Sequence, residues 1–324
     1  MCGELQAYFS IFFIIYIREH VSSKCTTVLQ YHVMTQPADP HNFLEGEGDI
    51  ELSYTTYPDH DHAVDPRKTP LIFAHGLFGG KGNLHSVSKH LSNEGRKVIT
   101  YDARNHGDSQ HSSDFNFSCM ADDLSDLIDD LRLIQPFVMG HSMGGKTAMM
   151  FALTKPEKLK ALIVGDVTPS KSPGGEALLS YAQAMKAVEI SKDANLSLAR
   201  RQAKLQLAPT VPDKNLLNFL LTNLKQAEDG QVRWRNNLDA FINNFDDIMD
   251  FLPPEGATFT KPTLFVFGEK SQHYSPQGVE KVKTLFPQAE IVSIKDAGHF
   301  VHAEKPLEFV KVVQDFCDGL DASG

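Results

Sequence analysis

Cysteine is scarce in this 324-residue chain. Its four cysteines, Cys2, Cys25, Cys119 and Cys317, lie far apart and form no Cys-x-x-Cys pair, so neither a disulfide framework nor a zinc site is signalled. Free thiols in a reducing intracellular compartment fit this pattern. Positive charge is in deficit too: 31 Lys and Arg stand against 41 Asp and Glu, a formal net charge of −10. Nucleic acid is held by clustered cations that displace phosphate counterions, and such a partner is therefore excluded. A long apolar run is missing as well. The candidate Leu5–Ile17 spans thirteen positions, short for a hydrocarbon layer of ~30 Å. It reads as a targeting or anchor segment, compatible with association at a membrane surface, and residues 1–23 are set outside the fold. Glu4 before it and Arg18 after it give neither the positive start of a secretory signal nor an Arg-rich presequence.

What is present is a repeating rhythm. Thr27–Thr35 and Asp49–Thr56 alternate apolar and polar residues, as exposed antiparallel strands do. From Pro70 onward, apolar strand-length runs alternate with stretches of helical spacing. The runs are Leu71–Ala74, Lys97–Tyr101, Phe137–Met139, Ala161–Val164, Thr263–Phe267 and Glu290–Ile294. Helices are predicted over Asn83–Glu94, Met120–Leu133, Met143–Lys155, Pro276–Phe286 and Pro306–Cys317. Such alternation predicts an α/β fold with a mostly parallel central sheet and helices on both faces. One stretch breaks the rhythm. Residues 169–255, bounded by Pro169 and Pro253-Pro254, carry helix formers throughout and no strand candidate, which predicts an all-helical cap inserted into a core of residues 27–168 and 256–320.

Gly140-His-Ser142-Met-Gly144 follows an apolar strand run and opens a helix. A serine on so tight a turn is held in a strained conformation, and glycines beside it remove Cβ atoms that would collide. Its hydroxyl then stands above the sheet as a nucleophile. The same segment, Gly140 to Thr147, also spells the phosphate-binding pattern G-x-x-x-x-G-K-[ST], and the next strand ends in Asp166 as a magnesium-holding acid would. Remote residues separate the two readings. His75-Gly-Leu77-Phe78-Gly-Gly is a strand running into a glycine-rich turn, where the Leu77 or Phe78 amide, with that of Met143, suits an oxyanion hole. Gly298-His299 follows the last strand, where a histidine can return to the serine as general base. A nucleotide-binding protein needs neither.

The acid is displaced. The usual position after the penultimate strand reads Gly268-Glu-Lys-Ser271, with serine in place of aspartate. Asp166, at the end of the strand after the nucleophile helix, is the first choice, and Asp239 in Trp234-Arg-Asn-Asn-Leu-Asp239 is the alternative. Ser271 also leaves room for a non-catalytic binding or scaffold relative. Asp102-Ala-Arg104-Asn-His-Gly-Asp-Ser is assigned no catalytic step; Asp102 and Arg104 are expected to pin neighbouring loops.

Together, His75-Gly-Leu-Phe-Gly, Asp102-Ala-Arg-Asn-His-Gly-Asp-Ser, Gly140-His-Ser-Met-Gly-Gly-Lys-Thr, Trp234-Arg-Asn-Asn-Leu-Asp and Ala297-Gly-His-Phe-Val-His-Ala resemble the α/β-hydrolase superfamily. Within it, they resemble the family of α/β-hydrolase domain-containing protein 11 and its small bacterial esterase relatives. That resemblance implies an α/β-hydrolase fold and a serine esterase or lipase without metal or other cofactor. It implies lipid or acyl esters, such as diacylglycerol, as substrates and a mitochondrial address. Bacterial relatives place the acid where Asp166 stands. No protein partner is indicated.

Overall fold

The computed structural model describes residues 50–59 and 63–323. These belong to a unit that begins at Gly48; the strand predicted at Thr27–Thr35 and the apolar Leu5–Ile17 segment lie outside the described residues. Among the described residues the central sheet has seven strands: β1 (Tyr54–Tyr57), β2 (Leu71–Ala74), β3 (Val98–Tyr101), β4 (Phe137–His141), β5 (Ala161–Gly165), β8 (Thr263–Gly268) and β9 (Ala289–Ile294). Their order is β1-β3-β2-β4-β5-β8-β9. Among the described residues only β1 runs antiparallel in this sheet, pairing Tyr54 with Tyr101; its other six strands pair in parallel.

The strand runs are continuous apolar segments because both faces of the sheet are covered. Along β2, Ile72 and Ala74 enter one core layer while Leu71 and Phe73 enter the other. Helices α1 (His85–Ser92), α2 (Phe117–Asp130), α3 (Met143–Thr154), α9 (Pro276–Leu285), α10 (Val301–Glu304) and α11 (Pro306–Ala322) provide the cover. Asn116 caps α2, its side chain accepting the Cys119 N–H at 2.9 Å.

The stretch between β5 and β8 carries α4 (Gly175–Lys186), α5 (Leu196–Leu207), α6 (Lys214–Leu221), α7 (Leu238–Asn243) and α8 (Phe245–Met249). It is not all helical. Strands β6 (Leu224–Gln226) and β7 (Val232–Trp234) form an antiparallel hairpin in a separate two-stranded sheet. Each strand has three residues, too few for an alternation to register against the helix formers around them. Asp229-Gly230 is nevertheless a turn signal, with Gly230 at φ +81°.

The chain goes from β2 outward to β3, then returns to place β4 on the other side of β2. At such a reversal the loops after two neighbouring strands diverge and leave a crevice at their carboxyl ends. The loops after β2 and β4 are those of His75–Gly80 and Ser142.

Candidate active site

Ser142 follows β4 with φ +55° and ψ −118°, a conformation that costs energy for a residue with a Cβ and persists only where its surroundings enforce it. The enforcement is close packing of strand on helix. A Cβ on Gly140 would lie 2.0 Å from the Gly144 carbonyl oxygen, and one on Gly144 would lie 2.5 Å from the Ala74 carbonyl oxygen. No side chain fits at either position. Met143 is the first residue of α3, so its amide has no acceptor within the helix and stands at the positive end of the helix dipole.

Three predicted residues come together. Ser142 Oγ is 3.1 Å from His299 Nε2, and His299 Nδ1 is 2.7 Å from Asp166 Oδ2. Asp166 is 0% exposed and sits at φ +50° just past β5. Its Oδ1 accepts the Gly268 N–H at 2.8 Å, and its Oδ2 also accepts the Ser271 hydroxyl at 2.5 Å. Ser271 thus occupies the expected acid position as a donor to a carboxylate supplied by the neighbouring strand. Asp239 is not brought to this group: it is ion-paired to Lys186 on the surface, with its side chain 64% exposed.

The phosphate-binding alternative meets the same geometry. Lys146 is 1% exposed, and its ammonium donates to the carbonyls of Met249 at 2.9 Å and Asp250 at 3.1 Å. Burial pulls it down to about 7. Both groups that a nucleotide and magnesium would need, Lys146 and Asp166, are engaged within the protein.

The oxyanion candidates separate cleanly. The Phe78 amide donates to His106 Nε2 at 3.2 Å and is not free for substrate. Leu77 and Met143 both line the cleft, and among the described residues their amides meet no protein acceptor outside regular secondary structure. Phe78 itself adopts φ +58° and is held at three points. Besides its amide bond, its carbonyl accepts Asn223 Nδ2–H at 2.8 Å, and its ring packs on Phe241 at 5.3 Å between centroids.

His75 and His106 form a reciprocal clasp that the motifs alone did not reveal. His75 Nε2 accepts the Ala103 amide at 3.0 Å while its Nδ1–H donates to the Gly76 carbonyl at 2.8 Å. His106 accepts from Phe78 and donates through Nδ1–H to the Arg104 carbonyl at 2.9 Å. Burial drives both below the ordinary histidine range, His106 to about 3, and so keeps them neutral and able to accept. Asp102 and Arg104 do pin loops, through different partners. Asp102 takes the Lys81 amide at 2.7 Å and its ammonium at 2.5 Å. Arg104 binds both oxygens of buried Asp123 at 2.6 Å.

The Trp234–Asp239 motif meets this turn. Asn237 donates through its backbone to the Asn105 carbonyl at 2.9 Å, and Arg235 reaches Asp108 at 3.2 Å. The motif is therefore a clamp between the inserted stretch and the core, and its aspartate is the solvated member.

A cleft of about 380 Å³ opens over Ser142. Leu178, Tyr181, Leu216, Phe219 and Ile248 line it from the inserted stretch, whereas Leu217, Leu220 and Leu221 turn into the core. The wall is apolar, as a site for a lipid chain requires. Four histidines crowd its floor: His141 lies 4.8 Å from His299 and 4.4 Å from His302, and His273 lies 4.4 Å from His299. Burial pushes His273 and His302 down to about 4 and His141 well below its ordinary value, so neutral rings surround His299.

Residues 69–306 match the family model for the alpha/beta hydrolase fold. The sn-1-specific diacylglycerol lipase ABHD11 of Danio rerio is 43% identical over 249 residues, 76% of this chain and 78% of that protein. Its namesake in Mus musculus is 42% identical over 247 residues, covering 76% of this chain and 80% of that protein. Among solved structures, a marine microorganism esterase superposes with a TM-score of 0.75 at 33% identity, covering 82% of this chain and 99% of that one.

Proposed function

Because the chain belongs to the α/β-hydrolase family and is a serine ester hydrolase, we propose that it cleaves lipid acyl esters through an acyl-enzyme on Ser142, with His299 as base and Asp166 as acid. The observation that carries this reading is the continuous bond path from Ser142 Oγ through His299 to Asp166 Oδ2, at 3.1 and 2.7 Å. His299 Nε2 takes the hydroxyl proton as Oγ attacks the ester carbonyl carbon, and the Leu77 and Met143 amides bind the resulting oxyanion. The ester C–O bond then breaks as His299 returns the proton to the departing alcohol. A water molecule, deprotonated by the same nitrogen, releases the carboxylic acid and restores Ser142.

Buried Asp166 holds the proton on Nδ1, leaving Nε2 free to accept, and offsets the charge of the imidazolium. The apolar cleft and the diacylglycerol lipases among the relatives support a glycerolipid ester, presented from a membrane surface, as substrate. The family resemblance supports a mitochondrial site of action, to be checked by fractionating tagged full-length protein.

Covalent labelling by a fluorophosphonate tests the mechanism: an adduct on Ser142, absent in Ser142→Ala, is expected. Folded wild-type protein that forms no adduct overturns it. Release of fatty acid from a diacylglycerol labelled at its sn-1 chain tests the substrate class. Turnover of short esters alone would reject the lipid assignment.

A further inference from the structure

α5 and α6 depart from the charge of the rest of the chain. Against 41 acidic residues overall, neither helix contains an Asp or a Glu; α5 carries Arg200, Arg201 and Lys204, and α6 carries Lys214. The three cations of α5 are exposed and share one face of the helix, Lys204 standing one turn beyond the arginines. With Asn218, Leu221 and Thr222 of α6 they line a groove of about 370 Å³. Elsewhere arginines meet carboxylates, as Arg67, Arg96, Arg104, Arg233 and Arg235 do. Among the described residues, Arg200 and Arg201 have no hydrogen-bond or ion-pair partner, and Lys204 donates to the neutral Asn218 Oδ1 at 3.2 Å. Like charges set one turn apart without partners cost helix stability, a cost that an anion from outside would reverse. Beside Lys204, the Leu205 side chain is 72% exposed. We propose that this cationic groove docks the protein on a bilayer containing anionic phospholipid, its three cations binding headgroup phosphates and Leu205 entering the boundary with the acyl chains. The proposal rests on the lipid-ester reading above.

The groove and the catalytic cleft are two sides of one helix. Leu216 and Phe219 of α6 face the cleft, Phe219 packing on Phe300 at 5.6 Å between centroids, while Asn218, Leu221 and Thr222 face the groove. A bilayer seated on the groove therefore lies about 10 Å, one helix diameter, from the cleft wall, which shortens the path of an insoluble acylglycerol. Guanidinium groups suit phosphate because their N–H fork matches two of its oxygens. Each basic residue held at an anionic surface contributes about fivefold to binding, and three together about a hundredfold. The net charge of −10 is repelled by the same surface, so the groove also orients the molecule on it. Exposed Leu205 beside the cations, and an apolar cleft behind α6, favour a bilayer over a soluble anion.

Full-length protein and the variant Arg200→Ala/Arg201→Ala/Lys204→Ala, each checked for a retained thermal transition, are sedimented with phosphatidylcholine vesicles with and without phosphatidylglycerol. Both are assayed on diacylglycerol in those vesicles and on a soluble ester. Wild type is expected to prefer the anionic vesicles and to lose that preference in high salt. The variant should bind them about a hundredfold more weakly, with a matching fall in kcat/KM on vesicle diacylglycerol and an unchanged kcat on the soluble ester. Leu205→Ser should weaken the binding that remains in high salt. Should the triple variant not fold, Arg200→Ala and Arg201→Ala alone are each expected to lose about fivefold. Wild type that binds both vesicles equally, or folded variants that bind anionic vesicles as wild type does, overturn the proposal. So does release of bound protein by inorganic phosphate at an ionic strength where sodium chloride leaves it bound, which assigns the groove to a soluble anion. Wild type that binds through these cations yet leaves vesicle diacylglycerol intact overturns instead the lipid-ester reading.

Discussion

Replacing Asp166 by Asn changes one atom at the centre of a saturated set of bonds. The wild-type carboxylate accepts from Gly268 N–H on Oδ1 and from Ser271 Oγ–H and His299 Nδ1–H on Oδ2. An Asn can enter in two ways. With its amide oxygen toward His299, its NH2 group faces the Gly268 N–H, and a buried backbone donor is orphaned at a cost of about 1–3 kcal/mol. With its NH2 toward His299, the oxygen keeps Gly268 and the Ser271 hydroxyl turns to accept, so the Gly268 N–H keeps its partner and only the hydroxyl's own proton loses its acceptor. The second arrangement is therefore preferred, and it satisfies His299 only with Nδ1 unprotonated and the proton on Nε2. That tautomer cannot take the serine proton.

We expect kcat to fall by about 10⁴, equivalent to about 5 kcal/mol of transition-state stabilisation. Since the backbone donor keeps its partner and only one hydroxyl proton loses its acceptor, stability should change by only about 1 kcal/mol, or about 2–4 °C in Tm. Steady-state kinetics on a soluble ester with a parallel thermal melt separates the two quantities. An Asp166→Asn enzyme within tenfold of wild type, or one that fails by losing its thermal transition, refutes this reasoning.

Asp239→Asn breaks only an exposed pair with Lys186, and exposed pairs are worth about 0.2–1 kcal/mol; kcat should stay within about twofold of wild type, and a larger fall would return the acid to Asp239. Gly140→Ala places a Cβ 2.0 Å from the Gly144 carbonyl oxygen, so we expect a Tm lowered by overpacking together with loss of fluorophosphonate labelling, both read on one purified sample. Arg104→Ala leaves Asp123 buried without its partner, and urea titration should show about 3–5 kcal/mol lost. His273 and His302 fall from 6.5 in the open chain to about 4 in the fold. Below pH 6.5 the unfolded state thus binds protons that the folded state refuses. Stability from these groups is present above that pH and declines from 6.5 toward 4. Tm measured across that window should drop, and His302→Phe, if tolerated, should flatten the decline.

Much of the core was legible because its signals are local. β2, β4, β5 and β8 are apolar runs buried on both sides, and the Gly140–Gly144 turn carries its steric reason in five adjacent residues. Ser271 was legible only as an absence, since the carboxylate it supports stands 105 residues earlier and only the adjacency of β5 and β8 joins them. The His75–His106 clasp was equally hidden: each motif was visible, but their reciprocal bonds depend on β2 and β3 being neighbours. The β6–β7 hairpin escaped because three-residue strands leave too short a pattern, although Asp229-Gly230 marked its turn.

Asn223, in the inserted stretch, holds the carbonyl of Phe78, and the Leu77 amide precedes that residue directly. The stretch that lines the cleft over Ser142 therefore also sets the backbone beside the proposed oxyanion donor. Selectivity and rate share a mechanical part, and they cannot drift independently. Substitutions confined to Leu178, Leu216 or Phe219 can retune chain preference at little catalytic cost. Exchanging the whole insert would retune the chemistry as well, unless the contacts of Asn223 and Phe241 with Phe78 are carried into the new design.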